Sequence, residues 1–284
     1  MSKIAVVTDT NSSMDMEEAK RLGIYMLPMP FIVNGKEYFE GVTCGYDDFF
    51  RMLAQGDFVS TSQPSPGAIL GIWDEALKDN DYVIHIPMSS ALSGACDTAR
   101  ALAQDYDGKV FVVDNKRISI SQRQSALDAL AMIRKGMDPK NIVKELERRA
   151  LDSSIYLAVN TLELLKRSGR VTSAGAALAS ILDIKPVLTI QGEKLDAFAK
   201  ARGMKGAKKV MLKAMKKDLD SRFNGKKYHL DLAYSGDIYE AIEWQQEARS
   251  FFEMNDLALY RLPISICCHV GAGVLALGAF EVYE

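Results

Sequence analysis

Short apolar runs alternate with amphipathic stretches along the first half of the chain. The runs KIAVVTD, GIYMLPMPFIV, DYVIHIP and KVFVVD have the length and β-branched content of buried strands. Between them, segments such as YDDFFRMLAQG and SQRQSALDALAMIRKG carry apolar residues at helical spacing. Alternating strands and helices form a parallel sheet that helices cover on both faces. The pattern therefore predicts an α/β fold, with a three-layer α/β/α domain over residues 1–153.

The pattern changes at residue 154, after which the predicted strands follow one another more closely. We interpret as strands IYLAVNT, KPVLTI, KLDAFAKA, YHLDLAYSG, LALYRLPISICCHV and LGAFEVYE. Helices are predicted at SAGAALASIL, KGAKKVMLKAMKKDLDSRF and IYEAIEWQQEARSFFEMN. This arrangement predicts a second domain over residues 154–284, a two-layer α+β unit with a mixed sheet.

Composition and charge exclude several classes of protein. The 284 residues are 48% hydrophobic and carry a net charge of −2, so the chain lacks the excess of basic residues that is typical of nucleic-acid-binding proteins. A DNA-binding regulator is disfavoured for this reason, and no helix-turn-helix is recognisable. The four cysteines lack the spacing of a disulfide framework, and the N-terminus lacks the pattern of a signal peptide. No apolar run approaches the roughly 20 residues that a membrane-spanning helix needs. We expect a cytoplasmic protein with reduced thiols.

Common nucleotide, hydrolase and metal motifs are missing. No P-loop and no G-x-S-x-G elbow occurs, and GAGVLA (271–276) lies too close to the end of the sequence for a dinucleotide-binding unit. Cys267, Cys268 and His269 fall on a predicted strand, where successive side chains point to opposite faces and cannot easily chelate one ion. No metal and no cofactor is expected.

Hydroxyl clusters are the remaining candidate chemistry. TDTNSS, PMSSALSG and VDNKRISIS each follow a predicted parallel strand, so they should gather at one edge of the sheet. Ser65 is expected to cap a helix that begins at Pro66, and Ser93 and Gly94 precede another helix. Hydroxyls at that place can cap the helix, attack a substrate or hold an anion such as a carboxylate.

Five blocks of the sequence resemble the DegV family of bacterial fatty-acid-binding proteins. They are STSQPSP, SSALSGACDTA, TLELLKRSGRV, ILDIKPVL with the downstream KAR, and HVGAG. The family serves as the acyl carrier subunit of fatty acid kinase. The resemblance implies one long-chain fatty acid between the two domains, its acyl chain in a hydrophobic tunnel, and an ATP-dependent kinase subunit as partner.

The resemblance also implies roles for individual residues. Thr61 and Ser93 match the hydroxyls that hold the carboxylate, and Ser62 and the Gly94 N–H lie beside them. His269 matches a histidine near the head group. Arg170 matches an arginine near the carboxylate or on the kinase-facing surface.

The sequence departs from the family pattern in three places. Ala272 replaces the proline of HVGPG, Asn115 stands where the family has serine, and Ser168 replaces the first glycine of Gly-Gly-Arg. None of these positions is Thr61 or Ser93, so the resemblance still implies head-group binding.

Two hypotheses about function follow. The first is a non-catalytic carrier that binds a long-chain fatty acid and presents it to a separate kinase, with transient contact to a membrane surface during loading. The alternative is a serine hydrolase acting on acyl esters, with Ser93 as nucleophile and His269 as base.

Overall fold

The computed structural model describes residues 2–177, 184–192 and 194–283, which form three β-sheets and their covering helices. The strands are β1 (Ile4–Asp9), β2 (Ile24–Leu27), β3 (Pro30–Val33), β4 (Lys36–Phe39), β5 (Val59–Thr61), β6 (Tyr82–Ile86), β7 (Val110–Val112), β8 (Ser153–Ala158), β9 (Ile184–Ile190), β10 (Asp196–Arg202), β11 (Tyr228–Tyr234), β12 (Leu259–Arg261) and β13 (Leu275–Glu281). The helices are α1 (Met16–Leu22), α2 (Tyr46–Ala54), α3 (Pro66–Leu77), α4 (Ala95–Ala103), α5 (Ile120–Arg134), α6 (Pro139–Arg148), α7 (Glu163–Ser168), α8 (Ser173–Ala176), α9 (Gly203–Ser221), α10 (Ile238–Phe252) and α11 (Ile264–Val270).

The first sheet is parallel, with strand order β2-β1-β6-β7, as the alternating pattern predicts. Its strands are buried on both faces because each face supports a separate apolar cluster. Helices α1, α5 and α6 pack on one face, while α3 and α4 pack on the other around the fully buried Trp73. The predicted α/β/α layering is confirmed.

The largest sheet has the order β10-β9-β8-β13-β11-β12 and is mixed, as predicted, because β11 pairs with β12 in parallel and its other pairings are antiparallel. Helices α9 and α10 cover one face, where Met211, Met215 and Trp244 are buried. The opposite face carries a second set of apolar side chains that belongs to the cluster around the candidate site.

Two predicted strands are wrong because each contains a proline that interrupts it. GIYMLPMPFIV divides at Pro28 into β2 of the parallel sheet and β3 of a small antiparallel sheet, order β4-β3-β5, that the pattern did not predict. LALYRLPISICCHV is only a three-residue strand, and after Pro263 it becomes helix α11. The predicted helix SAGAALASIL is described only as far as residue 177, and the rest lies outside the described residues.

The three polar loops after β1, β6 and β7 meet at the carboxyl edge of the parallel sheet, as expected. The Met88 amide donates to Asp9 Oδ2 at 2.9 Å, and the Ser119 amide donates to the Asn11 carbonyl at 2.8 Å. Ser65 caps α3, since its hydroxyl accepts from the Ala68 amide at 3.2 Å. These contacts fix the loops that line the site.

Arg117 joins the loop after β7 to the large sheet. Its side chain is buried, and its guanidinium donates to the carbonyl oxygens of Arg149 at 3.0 Å, Asp152 at 3.3 Å and Glu281 at 3.5 Å. Burial lowers the Arg117 pKa to about 10, so the group still carries its charge at neutral pH.

Candidate functional site

A cavity of about 250 Å³ lies at the carboxyl edge of the parallel sheet, where α11 and the segment around Arg170 approach it. All six residues singled out in the sequence line this cavity. They are Thr61, Ser62, Ser93, Gly94, Arg170 and His269. The fold therefore brings together residues from four chain segments, although their role in binding stays a prediction.

Thr61 and His269 form the central polar contact of this cavity. Thr61 ends β5, His269 lies in the last turn of α11, and the Thr61 hydroxyl is 2.9 Å from His269 Nε2. Burial, together with the positive charges of Arg170 and Arg167, lowers the His269 pKa to about 4. The imidazole is consequently neutral at pH 7. Its Nδ1 atom is buried and has no hydrogen-bond partner among the described residues.

Ser93 and Gly94 lie at the start of α4. The Ser93 hydroxyl accepts from the Ala95 amide at 3.2 Å, at the first residue of α4, although the N-cap residue of this helix is Gly94. A Cβ atom at Gly94 would lie 3.0 Å from Gln63 Oε1, so glycine at this position leaves room for the Gln63 side chain. The first turn of a helix presents N–H groups and partial positive charge, which favours an anion beside it.

Two arginines line a surface groove that adjoins the polar end of the cavity. The groove, of about 200 Å³, shares Thr61, Arg170 and His269 with the cavity and also contains Arg167. The Arg167 guanidinium donates to the Val59 carbonyl at 2.8 Å and stacks over the Phe58 ring. The groove therefore leads from the protein surface to the Thr61–His269 contact.

A second, apolar cavity of about 50 Å³ adjoins the first. The two cavities share four apolar residues, Ile118, Leu195, Ile266 and Val270. Beyond these, the second cavity is lined by side chains of the large sheet and of α5. Polar groups at one end and apolar walls at the other suit an amphipathic molecule with a small anionic head.

Asn11 and Ser265 also line the cavity, and the sequence analysis did not select either of them. The Ser265 hydroxyl donates to Asn11 Oδ1 at 2.5 Å, and Asn11 Nδ2 is 3.1 Å from the Met88 sulfur. Asp9 lies behind Asn11, and burial raises the Asp9 pKa to about 6. The sequence signal was the TDTNSS segment, which was expected at this edge without a role for its asparagine.

Glu40 fixes the other end of helix α11. Its carboxylate accepts from the Ile264 amide at 2.7 Å, at the first residue of the helix that carries Ser265 and His269. Burial raises the Glu40 pKa to about 7, despite hydrogen bonds from Ile264, Ser265 and Thr10 that lower it. Glu40 thus positions α11 although it does not line the cavity.

The geometry does not assemble a catalytic triad. His269 Nε2 contacts Thr61 rather than Ser93, and within the described residues no carboxylate accepts a hydrogen bond from His269. His85 is buried in β6, where burial lowers its pKa to about 3. Among the described residues, Ser93 has no hydrogen bond to a base and His269 has none to a carboxylate.

The two cysteines and the histidine of α11 do not lie on the predicted strand. Cys267, Cys268 and His269 are consecutive on a helix, not on a strand, so the prediction that their side chains alternate between two faces of a sheet is wrong. Among residues 2–177, 184–192 and 194–283, no group of three potential metal-binding side chains is close enough to hold an ion. The same ranges include no helix that is long and apolar enough to cross a membrane.

Comparison with known proteins places the chain in a family. The sequence model described as "Uncharacterised protein, DegV family" matches residues 3–282. A DegV domain-containing protein of Deinococcus radiodurans is 28% identical over 275 residues, covering 96% of this chain and 97% of that protein.

Two solved structures have the same fold. A DegV family protein from Thermus thermophilus, described for its fatty acid binding, is 31% identical with a TM-score of 0.89, covering 99% of this chain and 100% of that one. DegV of Bacillus subtilis, described as a fatty acid binding protein, is 26% identical with a TM-score of 0.85, covering 99% and 100% of the two chains. The match of the family model over nearly the whole length, together with this shared fold, shows that the chain belongs to the DegV family.

Proposed function

We propose that this protein binds one long-chain fatty acid, between the part formed by residues 1–153 and the part formed by residues 154–284. The observation that carries the proposal is the junction of the two cavities, a polar one and an apolar one that share four side chains. Each methylene group that leaves water contributes about 0.8 kcal/mol, whereas the carboxylate must keep hydrogen-bond donors. The relatives from Thermus thermophilus and Bacillus subtilis support this proposal, since both are described as binding fatty acid.

Thr61 and Ser93 are the proposed ligands of the carboxylate. If the neutral His269 donates its Nε2 proton to Thr61 Oγ1, the Thr61 hydroxyl proton is free to point into the cavity. The Ser93 hydroxyl accepts from Ala95 and therefore also keeps its own proton for a ligand. Ser62, the Gly94 amide and the charge of Arg170 complete the site. Hydrogen bonds from such donors to a carboxylate are charge-assisted and therefore strong.

The second part of the proposal concerns the fate of the bound acid. The groove with Arg167 and Arg170 gives a separate ATP-dependent kinase access to the carboxylate. A carboxylate oxygen would attack the γ-phosphorus of ATP, forming an acyl phosphate as the bond to ADP breaks. ATP would belong to the kinase, and this chain would act as a non-catalytic carrier without a cofactor. The exposed Phe58, stacked on Arg167, supports docking at this groove.

Native mass spectrometry of the purified protein tests the binding step. We expect a mass increment of one fatty acid per chain, which solvent extraction then identifies. Ser93→Ala should retain less lipid while its unfolding remains cooperative. A protein that stays free of ligand after incubation with palmitate, stearate and oleate would contradict the proposal.

A separate experiment tests the carrier role against the hydrolase alternative. A fluorophosphonate should not label Ser93, whereas a hydrolase would be labelled and Ser93→Ala would lose the label. Acyl phosphate should form from bound palmitate only when both ATP and a fatty acid kinase subunit are added. Arg167→Ala should slow this formation while binding of palmitate is unchanged.

A further inference from the structure

The side chains of the large sheet that face the apolar cavity differ in size, and this difference bears on the length of the ligand. On the large sheet, Leu188 of β9 is the register partner of Leu157 of β8, which in turn pairs with Ala276 of β13. Ala276 pairs with Ala233 of β11. Cross-strand partners project from the same face of a sheet, and all four side chains belong to the same buried cluster. They form one row, which changes from leucine to alanine between β8 and β13.

The neighbouring row shows the same change but is filled differently. Ile190 pairs with Ile155, and Ile155 pairs with Gly278 of β13. Ile120 of α5 packs over Gly278, since a Cβ atom there would lie 3.0 Å from its Cδ1 atom. The space above Gly278 is therefore occupied, whereas the space at Ala276 and Ala233 is part of the cavity.

The alanine pair lines the part of the apolar cavity that the polar cavity does not share. Ile118, Leu195, Ile266 and Val270 line both cavities, whereas Ala233 and Ala276 line the apolar one alone. A fatty acid with its carboxylate at Thr61 would pass the four shared side chains before it reaches the alanines. The last part of its chain would then lie against this pair.

We propose that the Ala233–Ala276 pair sets the greatest acyl chain length that this protein accepts. The proposal rests on the function proposed above and adds a specificity-determining position to it. A larger side chain at either alanine would occupy the space of the terminal methylenes. Long acids would be excluded, while shorter acids, which end before the pair, would still bind.

Competition between stearate and laurate tests the proposal directly. The protein is incubated with an equimolar mixture, and native mass spectrometry measures the ratio of the two complexes. We expect Ala276→Val to lower the stearate-to-laurate ratio about tenfold, since overpacking of the ligand-filled cavity costs roughly one power of ten or more in affinity. An unchanged ratio in a folded Ala276→Val protein would overturn the proposal.

Ala279→Val is the matched control. Ala279 is equally buried on β13, but it belongs to the cluster on the opposite face of the sheet. It should change stability without changing the ratio. If Ala276→Val fails to fold, Ala233→Val on β11 provides the same test from the other strand. Wild-type protein that binds neither acid would refute the proposed function itself, an outcome distinct from an unchanged ratio.

Discussion

The Thr61 hydroxyl and the Nε2 atom of His269 lie 2.9 Å apart, although 208 positions separate the two residues in the sequence. This contact joins the edge of the small antiparallel sheet to the last turn of α11. Because the imidazole is neutral, the two residues form a hydrogen-bonded pair that carries no net charge. Such a pair can bind an anion through the Thr61 hydroxyl while neither side chain loses a proton.

Removing the Thr61 hydroxyl should weaken fatty acid binding. We expect Thr61→Val to lower the affinity for palmitate about tenfold, because a hydrogen bond to a charged group contributes about 1.5–3 kcal/mol. Isothermal titration calorimetry measures the change. Thr189→Val is the control, since the Thr189 hydroxyl donates to the Ile155 carbonyl and lines neither cavity. Equal affinities of the two variants would exclude Thr61 as a ligand.

A double-mutant cycle measures whether Thr61 and His269 act together. Thr61→Val and His269→Gln should each weaken binding, and their combined loss should be less than the sum by about 1 kcal/mol. Strictly additive losses would show that the two side chains bind palmitate independently.

Ser265→Ala should destabilise the protein. The substitution leaves Asn11 Oδ1 buried without its donor, and an unsatisfied buried acceptor costs about 1–3 kcal/mol. Urea denaturation monitored by circular dichroism gives the free energy of unfolding. Ser221→Ala, at an exposed position on α9, serves as the comparison. A loss no greater than that of Ser221→Ala would contradict the assigned role of the Asn11–Ser265 contact.

Glu40→Gln should change how stability depends on pH. The Glu40 pKa rises from 4.5 to about 7 on folding, so its contribution is complete below pH 4.5 and is lost as the pH rises through 7. A shift of this size corresponds to about 3 kcal/mol. The variant keeps an acceptor for the Ile264 amide but never ionises. Its stability relative to wild type should therefore increase between about pH 5 and about pH 8.

Denaturation at a series of pH values tests this expectation. The comparison between variant and wild type cancels the contributions of His85 and His269, whose pKa values also change on folding. Glu37→Gln, on the exposed part of β4, is the matched control. A constant difference between Glu40→Gln and wild type would mean that Glu40 is ionised throughout.

Gly273→Ala should be strongly destabilising. Gly273 has a φ angle of +75°, and a Cβ atom there would lie 2.0 Å from Asn160 Nδ2. Gly225 has the same φ of +75° but nothing within 4 Å of an added Cβ atom, so it separates backbone strain from the clash. We expect Gly273→Ala to lose roughly 1–3 kcal/mol more than Gly225→Ala in thermal or urea unfolding. Similar losses would show that Asn160 moves aside without cost.

The sequence was sufficient to predict the α/β/α layers and the meeting of three loops at one edge of the parallel sheet. It was not sufficient to predict the contacts within the site. Apolar periodicity identified β1, β6 and β7, since buried parallel strands have a strong local signal. It failed at Pro28 and Pro263, where a proline divides an apolar run, because the segments before and after the proline are equally hydrophobic. The hydroxyl pattern singled out Ser93 and Gly94, whereas the binding roles of the six candidate residues came from motif resemblance. The Thr61–His269 and Asn11–Ser265 contacts depend on tertiary packing, which no local pattern encodes.

The buried guanidinium of Arg117 has a consequence for any attempt to express the two halves separately. A fragment that ends at residue 153 would retain the carbonyls of Arg149 and Asp152 but would lack that of Glu281. It would also lack the Tyr283 amide, which donates to the buried Asp128. Each loss leaves a charged group short of a partner in the interior. The end of β13 and the residues just after it therefore complete the first half of the protein, and autonomous folding of that half is not expected.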